Sequence, residues 1–511
     1  MATTTVSAPA TLNRLLLRPL GAVGTAALLA LTGLAITTQF PTATPLEILV
    51  VATVFGVAAW MLLNGRYGWS LAILMLYIGL ADGYIKLSTD SPQVTLLRDL
   101  LLYAIVVGVL LRGVIRKQTL SFPPLAGWVL AWVIVVGVQI ANPANGTLFH
   151  SVASVRPHAE WVPLFFFAYM LMRSKDRLRN FLLLLAVVAA INGIVGLIQL
   201  NLTPEEFSSW GPGYEKAING EGSVSGRTFT DSSGTARTRP FGLGPDIGFA
   251  GFVGMMAVPA ALALLALARR PGTRTLIVLL SAGVVIAVAT SQARTAVIGS
   301  LIAVFAYAAL TVTSRAGLRT VLAIGLVGIV AYGTIGLLSS NSDKGSFRYE
   351  SISGPGEAVS TAYEYRRDTL ARIPTYAAEF PLGDGIGSHG PAASLAGGSG
   401  RKHDAESEPT FLLVELGIPG LLVMLGFQLT LFYLSITRIR KIADHEARIL
   451  LTAIAAPLFA VFSTWFVGVS TANVPGAPYL WFAAGILAYW LIEIPRHSNS
   501  ATGGGLQPQA A

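Results

Sequence analysis

Residues 409–436 read PTFLLVELGIPGLLVMLGFQLTLFYLSI, an apolar run in which Glu415 is the only charged side chain. A run of this length is long enough to cross the hydrocarbon core of a bilayer as an α-helix. The segment before it, residues 341–408, is polar and contains two histidines and a cluster of carboxylates. Most of the remaining chain is apolar again. We therefore expect function where the polar segment meets the apolar run.

The composition is that of an integral membrane protein. Hydrophobic residues make up 53% of the 511-residue chain and charged residues only 12%, whereas soluble domains have about 25% charged residues. The absence of cysteine excludes disulfides, thiolate metal sites and thiol catalysis. The formal net charge of +9 suits anionic lipid or a phosphorylated substrate as partner. No nucleic-acid partner is expected.

Repeated apolar runs predict an all-α, polytopic membrane helix bundle with about 12–14 transmembrane helices. The first run follows two arginines, as in a signal peptide, but no cleavage site stands out, so we interpret it as a retained helix. One membrane domain, residues 14–497, is predicted between two disordered cytoplasmic tails, residues 1–13 and 498–511. The candidate spans are 19–38, 46–63, 68–85, 96–114, 124–141, 160–173, 178–200, 246–267, 274–291, 295–313, 319–338, 409–436, 448–468 and 476–494.

The distribution of charge predicts the orientation of these spans. If the N-terminus is cytoplasmic and the spans alternate, the inner segments contain 20 of the 35 basic residues and four of the 26 acids. The outer segments then contain the other 15 basic residues and 22 acids. Because basic loops stay in the cytoplasm, both termini are predicted inside. The two long loops, 201–245 and 339–408, are predicted on the outer face of the cytoplasmic membrane.

Arg294 lies in the short turn Ser291-Gln292-Ala293-Arg294-Thr295, between two apolar spans. One interpretation is an arginine whose guanidinium reaches the membrane interface. The other is a guanidinium that faces a cavity and binds phosphate or carboxylate, for which its planar fork is suited.

The second external loop contains a predicted helix and a glycine-rich turn. Apolar residues recur at helical spacing through residues 363–380, which predicts an amphipathic helix lying along the membrane surface. Pro381 ends this helix. The following Gly383-Asp384-Gly385-Ile386-Gly387 predicts a tight turn whose amide groups approach an anion.

Several titratable side chains follow this turn. Each is a candidate general base or, in the alternative interpretation, a solvated surface group. Glu415 differs from the others because it lies inside an apolar run and there needs a partner. The set is His389, His403, Glu406, Glu408 and Glu415.

Three blocks together resemble the O-antigen ligase/polymerase superfamily of bacterial membrane glycosyltransferases. The first, residues 237–246, reads RTRPFGLGPD before a span, and the second is the Ser291–Thr295 turn. The third runs from Arg366 through Pro381-Leu382-Gly383 to Glu415-Leu416-Gly417-Ile418-Pro419-Gly420. An arginine fifteen residues before the proline fits the family pattern, which favours Arg366 over Arg367. The blocks cover roughly residues 237–425.

This resemblance implies transfer of a glycan from a polyprenyl-diphosphate carrier to an acceptor glycan or glycolipid at the outer leaflet, in contact with membrane lipids. Arg294 and Arg366 would stabilise the leaving diphosphate, in a family that works without a metal or other cofactor. The family's usual His-Asn pair is replaced here by residues 405–409, so His403 and Glu406 are the two candidates for the general base. The remaining residues implied in substrate binding are Arg237, Arg239, Arg367, Gly383, Gly385 and His389.

Two other function classes are alternatives for a polytopic membrane protein of this kind. The first is a transporter or flippase of lipid-linked glycans without catalysis, although Asp82, Arg98 and Asp99 lie near the outer ends of their spans rather than at mid-membrane. The second is another glycosyltransferase with a polyprenyl-phosphate sugar donor. That class commonly carries an acidic pair in its first external loop, and residues 39–45 contain no charge.

Overall fold

The computed structural model describes residues 45–90, 94–115, 122–145, 148–219, 228–230, 236–311, 367, 370–389 and 407–495. Helix accounts for 81% of the structure. Among the described residues, strands β1 (Thr228–Thr230) and β2 (Ala236–Thr238) form one antiparallel pair. The two predicted tails and the predicted spans 19–38 and 319–338 lie outside the described residues. Two compact units are present, Met1–Ser121 with Gly211–Gly213, and Phe122–Trp210 with Tyr214–Ala511.

The first unit contains four α-helices within its described residues. Helix α1 (Pro45–Asn64) packs against α4 (Leu97–Ile115), and the hydroxyl of Tyr67 donates to the carbonyl of Gly108 at 3.0 Å. A Cβ at Gly108 would lie 3.0 Å from the carbonyl oxygen of Leu62, so glycine allows the two helices to approach closely. The helices are α1 (Pro45–Asn64), α2 (Tyr67–Leu76), which continues through the π-helical turn Tyr77–Ala81 into α3 (Asp82–Thr89), and α4 (Leu97–Ile115).

The remaining helices follow in chain order, with short 3-10 turns between some of them. They are α5 (Ala126–Ile140), α6 (Leu148–Ala159), α7 (Pro163–Leu171), α8 (Lys175–Leu200), α9 (Pro204–Ser208), α10 (Pro212–Asn219), α11 (Phe249–Leu267), α12 (Pro271–Thr290), α13 (Arg294–Thr311), α14 (Ile373–Glu379), α15 (Glu408–Arg438), α16 (His445–Ser463) and α17 (Gly476–Ala488).

Seven helices in the described part of the chain are long and apolar enough to cross a membrane, which confirms a multi-pass membrane protein. Five further predicted spans coincide with α1, α4, α5, α7 and α17. These helices are not among the seven that meet the requirement for length and apolar composition. Helix α7, for example, has nine residues. The predicted orientation stays a prediction. The seven are Tyr67–Thr89, Lys175–Leu200, Phe249–Leu267, Pro271–Thr290, Arg294–Thr311, Glu408–Lys441 and His445–Phe466.

Small residues bring the central helices of the second unit together. Helices α8, α11 and α12 pack against one another, and α16 packs against α11 and α13. A Cβ at Gly193 of α8 would lie 2.7 Å from the amide nitrogen of Ala287 in α12, and a Cβ at Gly254 of α11 would lie 2.8 Å from Val288. Such close backbone approach is how membrane helices gain packing energy without a hydrophobic driving force.

The contact at Gly193 predicts a measurable loss of stability on substitution. We expect Gly193→Ala to cost about 1–3 kcal/mol, because the new methyl group collides with the backbone of α12. Gly137→Ala is the matched control, since that glycine is also inside a helix and a Cβ there meets nothing within 4 Å. Thermal unfolding of both purified variants measures the difference. Equal midpoints would contradict the tight α8–α12 contact.

Candidate functional site

Helix α15 is broken at Gly417. Residues 381–389, here called the glycine-rich loop, lie against the break. Gly417 has φ 69° and ψ −169°, and Pro419 follows two residues later without an N–H. In an unbroken helix the N–H of Ile418 would donate to the carbonyl of Val414. Here it donates to the carbonyl of Pro381 at 3.0 Å, and Val414 accepts from the N–H of Asp384 at 2.7 Å. The loop therefore satisfies both backbone groups that the break releases.

Only glycine fits at the two positions where the loop and the broken helix meet. Gly383 has φ 86°, and a Cβ there would lie 2.8 Å from the carbonyl oxygen of Glu415. A Cβ at Gly417 would lie 2.6 Å from the amide nitrogen of Gly383. Both the positive φ and the short backbone distance exclude a side chain. The loop and the Glu415–Gly420 segment thus form one local structure.

Glu415 is fully buried at this junction and is hydrogen-bonded on both oxygens. Its Oε2 lies 2.5 Å from Nε2 of His158, at the end of α6. Its Oε1 accepts the backbone N–H of His389 at 3.2 Å. The ring of His158 stacks on Phe411 with centroids 5.4 Å apart, and its carbonyl accepts from Nε1 of Trp132. Glu415 therefore has the partner that its apolar context required, and it connects α6, the loop and α15.

Side-chain amides in the last turn of α5 and just after it hold the other side of the loop. Gln139 Nε2 donates to the carbonyl of Leu382, and Asn142 Nδ2 donates to Gln139 Oε1 at 2.8 Å and to the carbonyl of Gly383 at 3.2 Å. Gly385, with φ 94°, leaves room for Asn145 Oδ1. Among the described residues, Asn145 Oδ1 and the hydroxyl of Ser388 have no hydrogen-bond partner. Both atoms are buried, so they are polar groups enclosed at the loop without a partner in the described part of the chain.

The described part of the helix predicted at 363–380 packs against α15, and its position relative to the membrane surface stays a prediction. The described part of the 363–380 segment contains α14, whose Tyr376 is buried against Leu413 and Val414 of α15, with Ile373 and Phe380 beside it. The apolar face that suggested a membrane contact is therefore used to pack against another helix. Periodicity identifies such a face but not what covers it.

Glu408 is buried, so its interpretation as a surface charge was wrong. Its Oε2 accepts the backbone N–H groups of Ser470 at 2.5 Å and Thr471 at 3.0 Å, and both hydroxyl groups also donate to the carboxylate. Ser407 caps the same helix end by accepting from the N–H of Thr410. A carboxylate with this many donors anchors the segment after α16 to α15.

In the second unit, the first sequence block is held by α8, and Gly248, two residues after that block, lies beside the second block. Two buried amides of α8 hold the first block: Gln199 Oε1 accepts from the N–H groups of Phe241 and Gly242, and Asn192 Oδ1 accepts from that of Leu243 at 2.8 Å. A Cβ at Gly248 would lie 3.6 Å from the Cβ of Ala293, in the second block. The loop after β2 and the turn before α13 are thus neighbours.

The structure places the predicted arginines as follows. Arg294 is the half-buried first residue of α13, Arg237 is buried on β2, and Arg239 follows β2. Arg367 is exposed and helical. Arg366, His403 and Glu406 lie outside the described residues. His389 is buried, so its interpretation as a solvated loop residue was wrong.

A separate group of charges lies inside the first unit. Arg98 Nη1 lies 3.2 Å from Asp82 Oδ2, and its Nε lies 3.7 Å from Asp99 Oδ1. Both acids are buried, and Asp82 directly follows the π-helical turn Tyr77–Ala81. Single π-helical turns occur often at functional sites. Buried ionic groups in a membrane helix also mark candidate sites.

Sequence reasoning did not identify several residues that build these sites. His158, Gln139, Asn142 and Asn145 hold the glycine-rich loop and Glu415. Asn192 and Gln199, which hold the loop after β2, are polar residues inside the apolar run 178–200. Their position predicts a hydrogen-bond partner within the protein, because an unpaired amide in hydrocarbon is costly. Asn142 and Asn145 lie between spans and give no comparable signal.

Comparison of the chain with protein-family models, with curated proteins and with solved structures found no match.

Proposed function

We propose that this protein is a membrane glycosyltransferase that transfers a glycan from a polyprenyl-diphosphate carrier to an acceptor glycan or lipid at the outer face of the cytoplasmic membrane. It would act as a ligase or polymerase of surface polysaccharide. The reaction class comes from the sequence resemblance described above. The structure supports it through the positions of the arginines.

The observation that carries the proposal is the packing of the segments that contain Arg237, Arg239 and Arg294. Gly248 approaches Ala293, and a Cβ at Gly196 of α8 would lie 2.7 Å from Thr290 Oγ1 and 3.8 Å from Pro240 Cβ. The two blocks are about fifty residues apart in the chain, and these contacts place the first block and the residues beside it close to the C-terminus of α12 and the N-terminus of α13. Arginine-bearing segments brought together in this way suit recognition of a diphosphate.

Arg294 is not explained by helix stability. It is the first residue of α13, where the positive end of the helix dipole disfavours a cation by roughly 0.3–1 kcal/mol. A guanidinium kept at an unfavourable position favours a role in binding an anion.

In the proposed reaction, a hydroxyl oxygen of the acceptor attacks the anomeric carbon of the donor. The bond between that carbon and the diphosphate oxygen breaks as the new glycosidic bond forms, with inversion at the carbon. Arg294 and Arg366 stabilise the charge that develops on the leaving diphosphate. His403 or Glu406 accepts the proton of the attacking hydroxyl.

The glycine-rich loop is proposed to hold the sugar. Asn145 Oδ1 and the Ser388 hydroxyl are buried beside Gly385 without a partner among the described residues, and sugar hydroxyls both donate and accept hydrogen bonds. Glu415, which is hydrogen-bonded to His158, holds this loop in position by accepting the backbone N–H of His389.

Deletion of the gene followed by analysis of the cell-surface glycan tests the proposal. Loss of chain length with short, carrier-linked units is expected for a polymerase, and long chains that remain unattached are expected for a ligase. A surface glycan of unchanged length and attachment would contradict both forms.

The second candidate is a transporter or flippase of lipid-linked glycans. The buried Asp82–Arg98–Asp99 group beside a π-helical turn favours it. Purified protein in liposomes distinguishes the two, with a fluorescent lipid-linked oligosaccharide placed in one leaflet. Movement of the donor without change in glycan length, abolished by Asp82→Asn, would favour transport. Formation of a longer glycan that is insensitive to Asp82→Asn favours the transferase.

A further inference from the structure

A cavity of about 660 Å³ lies in the second unit, where α11 ends and α8, α12 and α16 begin. One wall is apolar and is formed by Leu264, Leu267 and Ile277. Charged side chains near the N-termini of the other three helices also line it, namely Arg179, Arg269, Arg270, Asp444 and Glu446. None of these residues belongs to the proposed glycan site.

The acidic side chains of this cavity are already neutralised. Lys175 Nζ lies 2.7 Å from Asp444 Oδ2 and 3.4 Å from Glu446 Oε2, and Arg179 forms an ion pair with Glu446. The hydrogen bond from the Lys175 ammonium lowers the pKa of Asp444, which keeps that carboxylate ionised and paired.

Two cations remain at the cavity. Arg269 and Arg270 both line it and are exposed, and neither forms an ion pair with a described carboxylate. Two arginines that line one cavity and are not paired with a described carboxylate suit the binding of a phosphate group.

The N-terminus of α12 also favours binding of an anion. Ser174 caps the N-terminus of α8 and Asp444 caps that of α16, whereas α12, which begins at Pro271, has no side-chain cap among the described residues. Its first-turn amide groups, close to Thr273 of the cavity wall, therefore face an anion with a favourable dipole.

The location of the cavity at the ends of membrane helices indicates which kind of anion it binds. Helices α8, α11, α12 and α16 all belong to candidate membrane spans, and the cavity lies at their shared ends. The ends of spanning helices lie at the level of lipid headgroups, and basic pockets between such helices bind anionic lipids. A soluble phosphate would leave the apolar wall unused.

We propose that this cavity binds the headgroup of an anionic phospholipid, with the phosphate on Arg269 and Arg270 and the start of an acyl chain on the Leu264–Ile277 wall. The site is independent of the proposed glycan transfer. Its occupant would fill the junction of four helices and so stabilise the second unit.

Native mass spectrometry of the purified full-length protein, titrated with phosphatidylglycerol in detergent, tests this proposal. The double variant Arg269→Gln/Arg270→Gln is expected to bind the lipid roughly tenfold to thirtyfold more weakly, because each interfacial arginine contributes about fivefold. Should the double variant be lost on extraction, Arg269→Gln and Arg270→Gln alone are each expected to weaken binding about fivefold.

Arg274→Gln is the matched control, since Arg274 is exposed in the first turn of the same helix but does not line the cavity. It is expected to keep wild-type affinity. Equal weakening by Arg274→Gln, or no weakening by the double variant, would overturn the site. Equal binding of phosphatidylcholine, or displacement of the lipid by millimolar inorganic phosphate, would overturn its assignment to an anionic lipid.

Discussion

Arg294→Ala is expected to lower the rate of glycan transfer by a factor on the order of 10²–10³, the usual effect of removing one well-placed donor to a developing negative charge. The protein should still fold, because removing a cation from the N-terminus of α13 relieves an unfavourable interaction with the helix dipole. Arg294→Lys should recover only part of the rate, since lysine keeps the charge but not the bidentate fork.

The measurement is conversion of a radiolabelled polyprenyl-diphosphate glycan by purified protein in liposomes, with thermal unfolding measured on the same samples. Arg274→Ala is the control, because Arg274 is also an arginine in the first turn of a membrane helix but is exposed and lies outside the proposed glycan site. It should leave both rate and unfolding midpoint unchanged. A wild-type rate in Arg294→Ala would remove Arg294 from the mechanism.

The membrane helices could be predicted well from the sequence. The predicted spans 178–200, 274–291 and 295–313 differ from α8, α12 and α13 by at most three residues at each end. The reason is that a long apolar run must form a helix in a bilayer, whatever its neighbours are. Prediction failed where the local structure depends on contacts with neighbouring segments. The break at Gly417 is an example, because it lies inside an apolar run that predicts one uninterrupted span.

The candidate site was predictable only in part. The need of Glu415 for a partner followed from its apolar neighbours, but the partner, His158, is 257 residues away in the chain. The same holds for Asn142, whose amide reaches the carbonyl of Gly383. No local pattern encodes such pairs, because they depend on how the helices pack. The glycine-rich turn was correctly recognised as a unit, whereas its contact with the break in α15 was not.

The buried pair of Glu415 and His158 should be among the costliest to break. Glu415→Ala leaves His158 Nε2 and the backbone N–H of His389 without their acceptor inside the protein. Leaving a buried donor or acceptor without its hydrogen-bond partner costs about 1–3 kcal/mol for each group. Glu415→Gln should cost less, since its amide oxygen still accepts one of these hydrogen bonds. Reversible unfolding in mixed micelles with increasing sodium dodecyl sulfate measures each loss.

A double-mutant cycle separates the pair from its surroundings. The variant Glu415→Ala/His158→Ala is expected to lose about 0.5–3 kcal/mol less than the sum of the single variants, because the two side chains share one interaction. Glu379→Ala, at the exposed end of α14, should stay within about 0.5 kcal/mol of wild type. Hydrogen exchange at residues 387–389 should accelerate in Glu415→Ala, since the loop loses its acceptor. If the losses of unfolding free energy are additive and hydrogen exchange at residues 387–389 is unchanged, Glu415 does not hold the loop.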